Sequence, residues 1–257
     1  MQTKRKPIRV LWCVTLALVA GNVFAAGEIM LTKTKKGDPV AVHERRWIRL
    51  RYEKVMQRFE AQDKTDLRTG EIVFTGSSSM VGWRTVSKDM APLPVINRAF
   101  GGSDSGQLWF YADRAILPRD PAIIVAYIGD NDMPQSRVSV ENYMKYIGLF
   151  VERVRAQRAD TRLVFLANKP SVARWKLWPK YLAANEALRE YCEQDPLLTY
   201  VDITPTLLDE NGEVRPDRFK SDMLHFKAEV YVDWTRLIKP VVQVLWDEVR
   251  APAASEE

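Results

Sequence analysis

The chain alternates short, continuous apolar runs with longer segments whose apolar residues recur at helical spacing. Five runs read as strands: Glu71–Thr75, Val95 and Ile96 ahead of Asn97, Ala122–Ile128, Arg162–Ala167 and Thr199–Ile203. Apolar stretches without alternation are what strands covered on both faces require. Ala122–Ile128 (AIIVAYI), unbroken and rich in β-branched residues, is expected at the centre of a parallel sheet. Helical periodicity falls at about 40–62, 104–116, 139–158, 176–194 and 226–249. In the first of these, Trp47, Leu50, Val55, Met56 and Phe59 recur among charges. The segment 139–158 turns Tyr143, Ile147, Phe150, Val151 and Val154 to one side. Pro240 is expected to kink or split the last helix, because proline removes a helical N–H and crowds the preceding turn. Strands and helices alternating at this spacing predict an α/β fold, a parallel sheet with helices on both faces, in one domain over residues 40–250.

The first 25 residues break this pattern. Lys4, Arg5, Lys6 and Arg9 precede an apolar run from Val10 to Ala20, and Val23-Phe24-Ala25 closes it. This reads as a secretory signal cleaved after about Ala25, the run being short for a ~20-residue membrane span. A polar linker (26–39) follows, and an Ala/Ser/Glu tail (251–257) ends the chain. The expected location is periplasmic or secreted, with no stable membrane span after cleavage. The signal carries four basic and no acidic residues, so its loss takes the net charge from +5 to +1. The basic balance is thus no argument for a nucleic-acid partner. Cys13 goes with the signal, and Cys192 is left as a single thiol, read as a buried core residue. No internal disulfide forms, and no Cys/His cluster suggests zinc. The expectation is a protein without metal or cofactor.

In parallel α/β sheets, ligands gather at the carboxyl ends of the strands. There the chain places Gly76-Ser77-Ser78-Ser79, Asn97 through Gly101-Gly102-Ser103, Gly129-Asp130-Asn131-Asp132 and Asn168-Lys169-Pro170-Ser171. Only two histidines occur, His43 and His225, and Asp222 stands three residues before the latter. Imidazole is the side chain suited to exchange protons near neutrality. A serine hydroxyl needs such a base, and donors for the oxyanion it creates. Ser78, two residues past Gly76 at a strand-to-helix turn, is the candidate nucleophile, with Ser77 and Ser79 as alternatives in register. Its own N–H, that of Gly102 and the Asn131 amide are candidate oxyanion donors. The Ser…Asp…His order matches one triad order, but Met80 stands where a Gly-x-Ser-x-Gly elbow would end. A rival reading keeps the serine-rich loop as a phosphate or FMN cradle in a non-catalytic flavodoxin-like module, in which Asp222 and His225 have no use. A further rival is a catalytically dead relative that binds carbohydrate or serves as a scaffold; no residue favours it, since every role is filled.

These four blocks resemble the SGNH (GDSL-type) hydrolases, in the platelet-activating-factor-acetylhydrolase-like branch. Gly76-Ser77-Ser78 stands for the usual Gly-Asp-Ser, Gly102 for the second-block glycine, Gly129-Asp130-Asn131-Asp132 for Gly-x-Asn-Asp, and Asp222-Met223-Leu224-His225 for Asp-x-x-His. The resemblance implies a flavodoxin-like three-layer α/β/α sandwich of about five parallel strands. It implies ester hydrolysis without a metal, by a triad of Ser78, Asp222 and His225 with an oxyanion hole of Ser78, Gly102 and Asn131. Ser77 departs from the family pattern, so hydrogen bonding around the nucleophile must differ. The absence of a long insertion for a lid favours a small ester, lipid or acylated carbohydrate. Acyl transfer to a sugar hydroxyl is an alternative outcome of the same chemistry. Trp83, Trp109, Trp175 and Trp178 lie in or near the rim segments, as packing residues or as stacking surfaces. Lys169, Arg174 and Lys176 are either solvated surface or contacts for an anionic substrate.

Overall fold

The structure, a computed structural model, describes residues 51–251. The expected signal, the linker, the opening of the first helix and all but the first residue of the tail lie outside the described residues. The first described helix, α1 (Glu53–Thr65), buries Met56 and Phe59. The strands are β1 (Ile72–Gly76), β2 (Val95–Asn97), β3 (Ile123–Tyr127), β4 (Arg162–Leu166) and β5 (Leu198–Val201). All pair in parallel, in the order β2-β1-β3-β4-β5. β1 and β3 are buried at every position, the consequence of helices on both faces.

The helices divide between the faces. After β1 come two short ones, α2 (Ser78–Gly82) and α3 (Val86–Asp89). α4 (Ser105–Ala115) precedes β3, α5 (Val140–Gln157) precedes β4, α6 (Trp178–Glu193) precedes β5, and α7 (Ala228–Arg250) ends the described chain. One core packs α1, α4, α5 and α6 against residues such as Val73, Ile124 and Phe165. The other packs α2, α3 and α7 against Phe74, Val125 and Val164. Alternate residues of each strand thus serve opposite layers, as the two-residue period of a strand dictates. The three-layer α/β/α sandwich expected from the resemblance is the architecture observed.

Two expectations change. α7 runs through Pro240 unbroken. Pro240 and Arg236, whose carbonyl loses its helical partner, are both exposed, so water can satisfy that oxygen while the opposite face packs. The segment before α6 is a separate 3₁₀ turn, Val172–Leu177. Of the two roles left open for Trp83, the structure shows packing: it is fully buried, stacks on Tyr231 and donates from Nε1 to Asp89 at 2.7 Å. Trp109 packs against the other core beneath the Arg153 guanidinium, 5.2 Å from its ring centre. Cys192 is buried in α6, and burial pushes its thiol up to about 12, which makes it a poor nucleophile.

Candidate active site

Strand order reverses between β1 and β3: the chain leaves β1 towards β2 and leaves β3 towards β4. The loops after these two strands therefore diverge and open a crevice at their carboxyl ends. Ser78 lies on one side of it and Asn131 on the other.

Gly76 ends β1 with φ +124°, and a Cβ there would sit 1.9 Å from the Tyr127 carbonyl oxygen of β3. Only glycine allows the strand to turn sharply beside its neighbour. Ser77 N–H then donates to that carbonyl at 3.1 Å, and α2 begins at Ser78. The three serines now separate. Ser77 and Ser79 are buried, each with an Oγ that has no hydrogen-bond partner among the described residues. Half-buried Ser78 alone reaches the histidine: its Oγ is 3.0 Å from His225 Nε2. As the first helical residue, Ser78 has an N–H with no intrahelical acceptor.

His225 comes from a tight loop closed by the Phe219–Phe226 bridge and by Lys220 N–H donating to the His225 carbonyl at 2.8 Å. Asp222 organises it. Its Oδ1 accepts the N–H groups of Leu224 (3.0 Å) and His225 (2.9 Å), an Asx-type turn, and its Oδ2 lies 2.6 Å from His225 Nδ1. These bonds, from the His225 backbone first, hold the carboxyl well below the usual carboxylate range. The ionised carboxylate accepts a hydrogen bond from Nδ1–H, which keeps the proton on Nδ1 and leaves the Nε2 lone pair for the Ser78 hydroxyl. Asp222, His225 and Ser78 thus form one unbroken series.

Phe100-Gly101-Gly102-Ser103 is a turn, with Ser103 N–H donating to the Phe100 carbonyl at 3.4 Å and Phe100 N–H to the Gly76 carbonyl at 3.0 Å. Gly102 takes the third position with φ +78°, the left-handed conformation that such a turn reserves for glycine. A Cβ on neighbouring Gly101 would come within 3.8 Å of Ser78 Cβ, so the turn borders the serine directly. Asn131 joins it from across the crevice: its Nδ2 donates to the Ser103 carbonyl at 3.0 Å. The turn that carries Gly102 thus borders Ser78, and the Asn131 amide is tied to that same turn.

A buried charge cluster lies beneath Asn131, and sequence reasoning missed it. Asp130 is ion-paired with the fully buried Lys169, and Arg174 Nη1 lies 2.7 Å from Asp130 Oδ1. Tyr181 OH donates to the Asp130 carbonyl at 2.8 Å. Burial works against this carboxylate, but Lys169 and Arg174 outweigh it and hold the group below its ordinary range. Lys169 and Arg174 therefore face inward, because a buried Asp130 demands cations; Lys176 is exposed. A signal was present in the sequence: Asp130 stands one glycine past the apolar run 122–128, where an unpaired charge is costly.

Asp132 behaves differently. It accepts hydrogen bonds from Ser105 N–H at 3.1 Å and from Ser105 Oγ. Burial, and then the Asp104 carboxylate, push it up to about 7 against those bonds. Between the ordinary Asp value and about 7, the folded state holds a proton that the unfolded chain has released. Its contribution to stability is present in acid and is lost as pH rises through that window. The expected result is a melting temperature that falls between pH 5 and 7, with Asp132→Asn flattening the fall. Parallel pH profiles of the two proteins would remove Asp132 as its source.

A parallel α/β/α sandwich with serine, histidine and aspartate in hydrogen-bonded series at its switch point is the build of a serine hydrolase of the SGNH class. The model of the GDSL-like lipase/acylhydrolase family matches residues 65–232, a span that holds all five strands and every residue of the series. The chain belongs to that family. Among curated proteins none matches it. Solved structures share the fold at low identity. A Streptococcus pneumonia protein described as a platelet activating factor is 18% identical (TM-score 0.65), over 77% of this chain and 94% of that one. A GDSL-like lipase from Bacteroides thetaiotaomicron is 20% identical (TM-score 0.63), over 74% and 97%. A catalytic mutant of an acetylxylan esterase from Geobacillus stearothermophilus is 12% identical (TM-score 0.53), over 66% and 93%.

Proposed function

We propose that the protein is an exported serine esterase that hydrolyses short-chain carboxylic esters through an acyl-enzyme on Ser78. The observation that carries this reading is the series Asp222–His225–Ser78, with separations of 2.6 and 3.0 Å. His225 takes the Ser78 proton as Oγ attacks the ester carbonyl. The oxyanion lies among the N–H groups of Ser78 and Gly102 and the Asn131 amide. His225 then protonates the leaving alcohol, and later activates the water that releases the acid. Asp222 holds the imidazole tautomer and stabilises its cation.

The base is open to water: the side chains of His225 and Asp222 are 37% and 49% exposed. That openness favours hydrolysis over transfer of the acyl group to another hydroxyl. Among short esters, an O-acetylated carbohydrate is favoured by one feature. Half-buried Trp175 and Trp178 stack with centroids 6.0 Å apart, where the 3₁₀ turn that carries Arg174 meets α6. Flat aromatic faces of this kind suit the apolar face of a sugar ring. Export rests on the basic and apolar pattern of the first 25 residues.

The test is labelling by a fluorophosphonate, followed by a screen of acyl lengths and acetylated sugars. Ser78 is expected to carry the label, and activity to fall steeply beyond short acyl groups. A label on another residue, or none, would overturn the nucleophile, and a preference for long chains would overturn the substrate class.

A further inference from the structure

Asn131 can stabilise an oxyanion only if its Nδ2, not its Oδ1, faces the crevice. A primary amide is nearly symmetrical in shape, so packing alone does not choose between the two ends. Its partners must choose. On one side the Ser103 carbonyl, an acceptor only, receives Nδ2 at 3.0 Å. On the other, Arg174 Nη2 donates to Asn131 Oδ1 at 3.2 Å. Guanidinium is a donor only. A reversed amide would set N–H against N–H at Arg174, and oxygen against oxygen at Ser103 and at the developing oxyanion.

Arg174 is itself held rigidly. Its Nη1 donates to both the carbonyl and the carboxylate of Asp130. Its backbone (φ −124°, ψ 17°) departs from the surrounding 3₁₀ turn. The preceding residue, Ala173, donates its N–H to the Met223 carbonyl of the Asp222–His225 loop at 3.0 Å. The segment thus touches both the loop of the base and the loop of the amide. Charge balance does not explain Arg174, because Lys169 already neutralises Asp130. What a second cation adds is a planar fork that spans Asp130 and Asn131 at once, which an ammonium cannot do.

We propose that Arg174 is a positioning residue: braced on Asp130, its guanidinium fixes which end of the Asn131 amide faces the oxyanion. This rests on the esterase reading and on Asn131 as an oxyanion donor. The test is a double-mutant cycle on the full-length protein, with a short p-nitrophenyl ester as substrate. Asn131→Ala is expected to lower kcat by roughly 10²–10³-fold, the worth of a single oxyanion donor. Arg174→Ala is expected to lower kcat by roughly 10–100-fold with little change in KM, since part of that donor's effect is lost. In the Asn131→Ala background, Arg174→Ala should cost under about twofold more, because interacting residues are not additive.

Arg174→Lys keeps the charge beside Asp130. It should preserve the melting temperature and still lose kcat as the alanine variant does; if Arg174→Ala does not fold, it takes its place in the cycle. Additive effects, or full kcat in Arg174→Lys, would overturn the proposal and leave the esterase reading intact. A loss below tenfold in Asn131→Ala, with Ser78→Ala inactive, would remove Asn131 from the oxyanion site and this proposal with it.

Discussion

Ser78→Ala is expected to abolish turnover of p-nitrophenyl acetate while the protein stays folded. Removing the nucleophile of a serine hydrolase costs on the order of 10⁶-fold in kcat, and what persists comes from the remaining binding and oxyanion groups. The same change should scarcely affect stability. Ser78 is half-buried, and among the described residues its side chain bonds only to His225, itself half-buried. Losing one such hydroxyl costs on the order of 1 kcal/mol or less. The adjacent serines make the experiment sharper. Ser77 and Ser79 are buried with Oγ atoms away from His225, so neither can take over. Ser77→Ala and Ser79→Ala should therefore keep most of the activity. Retained turnover in Ser78→Ala, with loss in either neighbour, would move the nucleophile and overturn the register of the site.

The serine register shows where a sequence stops being legible. Three identical side chains in a row carry no pattern that distinguishes them. What separates them is the turn imposed by Gly76, whose φ of +124° follows from its approach to Tyr127 on a strand 51 residues later. By contrast, β3 could be read to within a residue at each end, because full burial on both faces forces an unbroken apolar run. Pro240 misled because it was read from its chemistry alone, whereas its outcome depends on the face it occupies, here the one towards water. For Trp83 the chain left packing and stacking both open, and the fold decides for packing, in the core under α7. Of the Asp130–Lys169–Arg174 cluster the sequence signals that Asp130 needs a partner, but not which residues supply it. Its members are separated by as many as 44 residues and meet only because β3 and β4 are neighbours.

A second such cluster predicts the largest loss of stability. Asp63, near the end of α1, is the carboxylate that pairs with Arg98, whose side chain is fully buried behind β2. Arg98 also lies 4.9 Å from the centre of the Phe59 ring, so it joins α1 to the sheet by charge and by contact. Arg119, 1% exposed, shares Asp63 at 3.2 Å but also pairs with Glu71 and Asp66. The two arginines therefore differ in what they lose. Asp63→Ala leaves Arg119 paired with two carboxylates, and Arg98 with none at ion-pair distance, Asp66 acting on it only from further off. Breaking a buried ion pair from one side costs about 3–5 kcal/mol, mostly the penalty of the stranded charge. For a domain of this size each kcal/mol lowers Tm by about 2–4 °C, so a drop on the order of 10 °C is expected. If the stranded guanidinium is the cause, Asp63→Ala should cost much less in an Arg98→Met background, where no charge is left to desolvate. Equal costs in the two backgrounds would assign the loss to helix packing instead.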